Sequence, residues 1–182
     1  MSLEFWKNAS PRGRRIIIIV IFFLFAILVT IVGTLAPLSP QQIANENNEL
    51  NKTQQEIQGM DFAHRTAAIF LNNFEICLLM FVPIFGVVFG SIVLFNTGSV
   101  LAAETITINR SIPPILVLAL LFVFPFAWLE FISYSTALSE SFWLIRRGLQ
   151  GEWKREIKNL GKLVLITAVL LVAGAMIESV LI

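Results

Sequence analysis

The sequence predicts an all-α fold, a polytopic bundle of transmembrane helices with four to five membrane segments. Three observations carry that expectation. Apolar residues make up 57% of the 182-residue chain and charged residues 14%, with a mean hydropathy of +0.81, far from the averages of a soluble domain. Apolar runs recur at lengths that suit a hydrocarbon core of about 30 Å. The basic residues gather mainly in two clusters, Lys7, Arg12, Arg14 and Arg15 before the first run and Arg146, Arg147, Lys154, Arg155, Lys158 and Lys162 before the last, as loops held on one side of a membrane do. Residues 1–182 leave room for one integral membrane domain and no separate soluble one. A net charge of +1 gives no electrostatic reason to expect nucleic acid, and the single Cys77 excludes an intrachain disulfide.

The first span, about 16–36, opens with IIIIVIFFLFAILV directly after Arg15. Its length, and Pro37 behind Thr34-Leu35-Ala36, favour an uncleaved anchor over a signal peptide. The arginines place the N-terminus in the cytoplasm of a multi-pass plasma-membrane protein, and Leu3, Phe5 and Trp6 suit a short interfacial segment. Residues 37–65 form the one sizeable polar loop, without basic excess and therefore on the outer face. Its Ile43, Leu50 and Ile57 recur every seven residues, a helical stripe that would dock on the spans or on a partner. Asn51-Lys52-Thr53 is a glycosylation sequon.

The second span is read as 67–96. Asn72, Asn73 and Glu75 enter it early, and they either stay wet at the outer interface or turn inward to bond a neighbouring span. Pro83 implies a kink, and Gly86 and Gly90 form a GxxxG pair that admits close helix approach. Asn96-Thr97-Gly98 reads as the helix end, with Gly98 in a left-handed cap.

From Pro113 to Ile145 the chain runs 33 residues without Lys or Arg, yet contains Pro125, Glu130 and Glu140. One straight helix of that length would extend about 50 Å. If both basic clusters lie inside, this stretch must cross twice or not at all. The expectation is a broken or hairpin segment around Pro125, 113–125 entering and 128–145 returning; one long tilted helix is the alternative. Glu130, Ser133, Ala137 and Glu140 share helical spacing, and an ionised carboxylate at such depth costs at least a few kcal/mol. Glu130 then either ties helices together through a hydrogen bond or forms a proton or solute site, whereas Glu140 lies near enough to Arg146 and Arg147 for an interfacial ion pair. The last span, about 160–182, carries Glu178 near the outer face. Ahead of it, Trp153, Lys154, Arg155 and Lys158 suit anionic lipid headgroups.

Catalytic constellations are missing from the sequence. His64 is the one His and Asp61 the one Asp, and no HExxH occurs; a zinc protease, an aspartate dyad and a His-rich copper or iron site are therefore not expected. No membrane-embedded His or Lys stands ready to activate a serine. The expectation is a non-enzymatic protein without cofactor or metal. Its candidate intramembrane polar site is Asn73, Glu75, Glu130 and Glu140, and its partners are other membrane subunits.

Ile69-Phe70-Leu71-Asn72-Asn73-Phe74, Gly86 and Gly90, the Asn96-x-Gly98 pair, and Pro125 followed five residues later by Glu130 resemble the stage II sporulation protein M family of integral membrane proteins. The likeness covers roughly residues 67–147, and the segment from Trp128 to Ile145 is similar to divergent, archaeal-like members. Where the family commonly carries Pro-His-Gly-x-x-Glu, this chain keeps Pro125 and Glu130 but has Phe126 and Ala127. The resemblance implies a multispan scaffold that assembles with other components. The competing expectation is a transporter or channel-like subunit built on Glu130 in a broken helix.

Overall fold

The structure, a computed structural model, describes residues 10–181, apart from the side chains of 153–155. Seven helices occupy them: α1 (Pro11–Leu35), α2 (Pro40–Gln58), α3 (Phe62–Met80), α4 (Phe85–Ile108), α5 (Pro114–Leu121), α6 (Pro125–Leu149) and α7 (Trp153–Leu181). Leu3, Phe5, Trp6 and Lys7, and the side chains of Trp153, Lys154 and Arg155, lie outside the described residues.

Local sequence accounts for where the helices start. Pro11, Pro40, Pro114 and Pro125 each open a helix, where the missing N–H costs nothing and φ is already helical. Ser10, Ser39 and Asp61 cap α1, α2 and α3, and Ser39 forms a full capping box with Gln42. Pro125 therefore begins α6 and does not break it. The break belongs to Phe122–Phe124 just before it, where α5 and α6 meet at 88°. Trp128 holds the corner by donating its indole N–H to the Phe122 carbonyl at 2.7 Å, and the Phe122 ring stands edge-on to Trp128 and Phe131.

Two sequence expectations are corrected here. Residues 67–96 are not one kinked span. The chain stops at Met80, turns through 81–84 and starts again at Phe85, while Asn96, Thr97 and Gly98 lie in the middle of α4. Pro83 sits in the turn, where the Phe85 N–H reaches the Pro83 carbonyl at 2.8 Å across Ile84, at φ 67 and ψ −60. That is the rare positive-φ γ-turn, strained for a β-branched residue. The second correction follows from it. α6 does not return as half of a hairpin but runs on as one 25-residue helix, so the reversal needed between the basic clusters is made at Pro83. Of the expectations for residues 113–145, the broken segment around Pro125 is present, α5 and α6 being bent by 88° at 122–124; a single long tilted helix does not describe them.

Cross-helix contacts fix the directions. α3 runs antiparallel to α7, with Thr66 bonded to Ser179 at one end and Leu78 and Phe81 beside Leu160 and Val164 at the other. α6 runs parallel to α3: Glu130 meets Asn73, and Ser141 meets the Val82 carbonyl. α1 and α4 cross where Ser99 donates to the Gly33 carbonyl at 3.3 Å. The N-terminus of α1, the C-terminus of α6 and the N-terminus of α7 converge through Arg15, Glu140 and Glu156. We call this the basic end and the opposite one the α2 end.

α6 is the central helix. From Ser133 to Ser141 every residue is buried, against a core that includes Ala26, Cys77, Met80, Leu94, Phe131 and Leu171. Small residues let neighbours approach a central helix closely. Three of its hydroxyls are spoken for: Ser133, Ser135 and Thr136 each donate to the carbonyl four residues back, as serines and threonines within helices do. α6 ends in a Schellman motif, Glu152 N–H to the Arg147 carbonyl and Gly151 N–H to that of Gly148, with Gly151 at φ 76. The left-handed glycine therefore ends α6, whereas Gly98 is an interior helical residue.

Among the described residues α1, α4 and α7 are long and apolar enough to cross a membrane, and the bent α5–α6 pair makes up to four spans. α3 is 19 residues long, about 28 Å at the helical rise, and its Asn72, Asn73 and Glu75 separate it from the apolar set.

Candidate functional site

Asn73 and Glu130, two of the four candidates read from the sequence, meet in the structure. α3 and α6 run side by side, and the Asn73 amide donates to Glu130 Oε1 at 2.6 Å. The pair lines a cavity of about 500 Å³ toward the α2 end, with Asn72, Glu56 and Glu178 also in its wall. A second cavity of about 750 Å³ shares Asn72 and Glu178 and adds Glu49, Asn96 and Glu104. Neither wall contains Lys, Arg or His. Asn96, expected at a helix end, instead contributes a polar side chain from the middle of α4.

The roof is α2. Its stripe of Ile43, Leu50 and Ile57 is half-buried and docks on the chain's own helices: Leu50 and Ile57 line the cavities. Asn47 fastens the roof to α4 through the Ala103 carbonyl at 3.3 Å and the Thr107 hydroxyl at 2.6 Å. The remaining face is exposed, including Asn51 of the sequon. At the rim Arg65 bonds the Met60 and Ser179 carbonyls. His64, 78% exposed at its side chain, pairs with Asp61 at 2.7 Å, and its backbone N–H and then its ring hold the Asp61 carboxyl below the ordinary range. Glu178 was not a site candidate in the sequence. The one available signal was its place near the outer face, the level also expected of Asn72.

Glu75 and Glu140 do not join this site. Glu75 is exposed on α3. Glu140, ten residues beyond Glu130, lies about 15 Å further along α6, so the shared helical face leads the two carboxylates to opposite ends. Its partner is also not the expected Arg146 or Arg147. Arg15 reaches back from α1 to Glu140 Oε2 at 2.6 Å and also bonds Glu156 of α7. Both carboxylates are 1% exposed, and Arg147 binds Glu152 and approaches Glu156 at 3.8 Å. A buried charge is tolerated only when paired, and here one arginine answers two helices.

Of the expected helix-packing or break residues, Pro83 lies in a turn, Pro125 opens α6, Asn96 is exposed in the middle of α4, and the three glycines lie at close contacts. Gly86 lies against the Met80 carbonyl, Gly90 against Leu138 and Met80, and Gly98 against Thr30 and Thr34. The small residues face other helices of the same chain. Among the described residues no group of three or more His, Cys, Asp or Glu is arranged to hold a metal ion.

Comparison with known proteins places the chain. The sequence profile of a family described as Stage II sporulation protein M matches residues 17–181, nearly its whole length. No curated protein and no solved structure matches it.

Proposed function

The chain belongs to the stage II sporulation protein M family, and from that premise we propose that it is a non-enzymatic membrane protein serving as an assembly component of a larger membrane complex. Family membership and the apolar helices make it a membrane protein. The proposed arrangement is a plasma-membrane protein of five crossings, α1, α3, α4, α5 with α6, and α7, with the basic end cytoplasmic by the positive-inside rule and α2 outside.

The observation that carries the assembly reading is α2 itself. It is a 19-residue helix with no buried residue, ordered by a capping box and by Asn47, though an isolated helix of this length is marginal in water. It contributes little to the core and presents a fixed polar face, with Asn48, Lys52 and Gln55 exposed. A folded, outward surface of this kind suits recognition by another subunit. A photo-crosslinker at Gln55, used in native membranes, is expected to trap one discrete protein adduct, lost on Lys52→Glu reversal. A crosslinker that captures only lipid would remove the assembly reading.

The acid-lined cavities favour a second reading, a transporter or channel-like subunit. Carboxylates in a wet cavity at membrane depth build cation sites, and Glu49, Glu56, Glu104, Glu130 and Glu178 line these two without a basic residue. Proteoliposome flux of protons and monovalent cations, measured beside the crosslink, separates the readings. Wild-type flux abolished by Glu130→Gln with the adduct intact would favour transport; no wild-type flux, with the adduct present, would leave assembly.

A further inference from the structure

The basic end holds a cavity of about 220 Å³ that neither the assembly reading nor the transport reading uses. Among the described residues four arginines line it, Arg14, Arg15, Arg146 and Arg147, with Glu156 the one carboxylate. Arg15 and Arg147 also reach Glu140 and Glu152. The cations are gathered around one indole: Arg15, Arg146 and Arg147 stand 5.2, 5.2 and 5.8 Å from the Trp143 ring centre, each drawn by the negative face of the ring.

Trp143 supplies a second, independent observation. It is 5% exposed and lines the cavity, yet among the described residues its indole N–H has no hydrogen-bond partner, and neither does Nε of Arg147. Buried donors are almost always satisfied, and leaving one unmade costs about 1–3 kcal/mol. Among the described residues Arg146 has no ion-pair partner, its one contact being the Trp143 ring. The cavity therefore combines the unpaired guanidinium of Arg146, an unanswered buried N–H and, from Gln150 and Asn159, further neutral amides.

We propose that this cavity is an anion site that takes a phosphate group, with the guanidinium of Arg146 and the indole N–H of Trp143 among its donors. Guanidinium forks match phosphate oxygens in geometry as well as charge. Depth indicates where the phosphate is met. The apolar run of α1 begins at Ile16, the residue after Arg15, so the cavity lies at the boundary where hydrocarbon gives way to headgroups. The phosphodiester of an anionic phospholipid and a free phosphate offer the same oxygens, and the test separates them.

The full chain, purified in neutral detergent, is heated with phosphatidylglycerol, phosphatidylcholine, inorganic phosphate, or chloride at matched ionic strength. The expected result is a rise in Tm of several degrees, dependent on ligand concentration, with phosphatidylglycerol or phosphate and not with phosphatidylcholine or chloride. Response to phosphatidylglycerol alone assigns the site to lipid, and response to phosphate assigns it to a soluble ligand. Arg146→Gln is expected to weaken the apparent affinity at least tenfold, and Trp143→Phe, which keeps the ring and removes the N–H, several-fold. Arg110→Gln, exposed at the other end, should leave it unchanged. No anion-dependent rise, or an equal rise in Arg146→Gln and wild type, overturns the proposal. Should Trp143→Phe fail to fold, half-buried Arg146 still decides the matter.

Discussion

Gly98→Ala tests the reassignment of Gly98 from helix end to helix crossing. An added Cβ would lie 2.1 Å from the Thr30 carbonyl oxygen, 2.7 Å from the Thr34 nitrogen and 2.9 Å from its hydroxyl. Two of these three atoms are backbone, so no rotamer change relieves them and α1 must part from α4 by roughly 1 Å or more. A gap of that size forfeits a quarter to a half of each dispersion contact, and in lipid such packing is what holds helices together. It also stretches the Ser99 bond to the Gly33 carbonyl, now 3.3 Å and worth about 1 kcal/mol. Overpacking of this kind costs about 1–3 kcal/mol. Adding about 1 kcal/mol for the stretched bond and subtracting about 1 kcal/mol that Ala contributes through helix propensity leaves a net loss of about 1–3 kcal/mol. Gly33→Ala meets the Phe95 carbonyl at 2.0 Å at the same crossing. One separation relieves both clashes, so the double variant should fall short of the sum by about 1 kcal/mol. Gly161→Ala is the control: nothing lies within 4 Å, and the change should be neutral or stabilising by up to about 1 kcal/mol. Reversible unfolding in mixed micelles with dodecyl sulfate, followed by far-ultraviolet circular dichroism, reads all four. A Gly98→Ala chain within about 0.5 kcal/mol of wild type would refute the close crossing.

Three further outcomes follow from the same geometry. Arg15→Gln leaves the Glu140 and Glu156 carboxylates, each 1% exposed, without their shared cation, and the same unfolding assay should register a loss of about 3 kcal/mol or more, much greater than for exposed Arg110→Gln. Ile84→Gly relieves the positive-φ turn without loss of packing, since Ile84 is 69% exposed; stability should rise by about 1 kcal/mol, and a fall would argue against the γ-turn. Single cysteines at Asn51, Asn109 and Gly151, probed with an impermeant maleimide, decide the crossings, the native Cys77 being fully buried and silent. Asn51 and Asn109 should label from one side and Gly151 from the other; Asn109 labelling with Gly151 would restore the discarded hairpin at Pro125.

Much of the fold was legible because lipid imposes its demands residue by residue. The apolar runs, the capping residues and the initiating prolines are local signals, and they place α1, α2, the start of α6 and α7 close to where they occur. The sequence also singled out Asn73 and Glu130 through the cost of a polar group at depth. It mistook Asn96-Thr97-Gly98 for a helix end because a glycine beside polar residues serves equally to end one helix and to admit another, and only the neighbouring α1 distinguishes the two. It read Pro83 as a kink and not as a reversal because the turn at 81–84 rests on Ile84 in a strained conformation, with no glycine or polar run to announce it.

By itself the sequence determined that the chain is all-helical and apolar enough for a membrane protein, and charge clustering raised the expectation that an even number of crossings separates its basic clusters. Those properties follow from hydropathy and charge, which act on each residue wherever its neighbours lie. Tertiary structure decided where the extra reversal is made, at Pro83 and not Pro125. It also decided that Glu130 faces Asn73 in an acid-lined cavity while Glu140, on the same helix, closes on Arg15 125 residues away. Pairings of that kind depend on which helices adjoin and in which direction they run, and no local pattern encodes them.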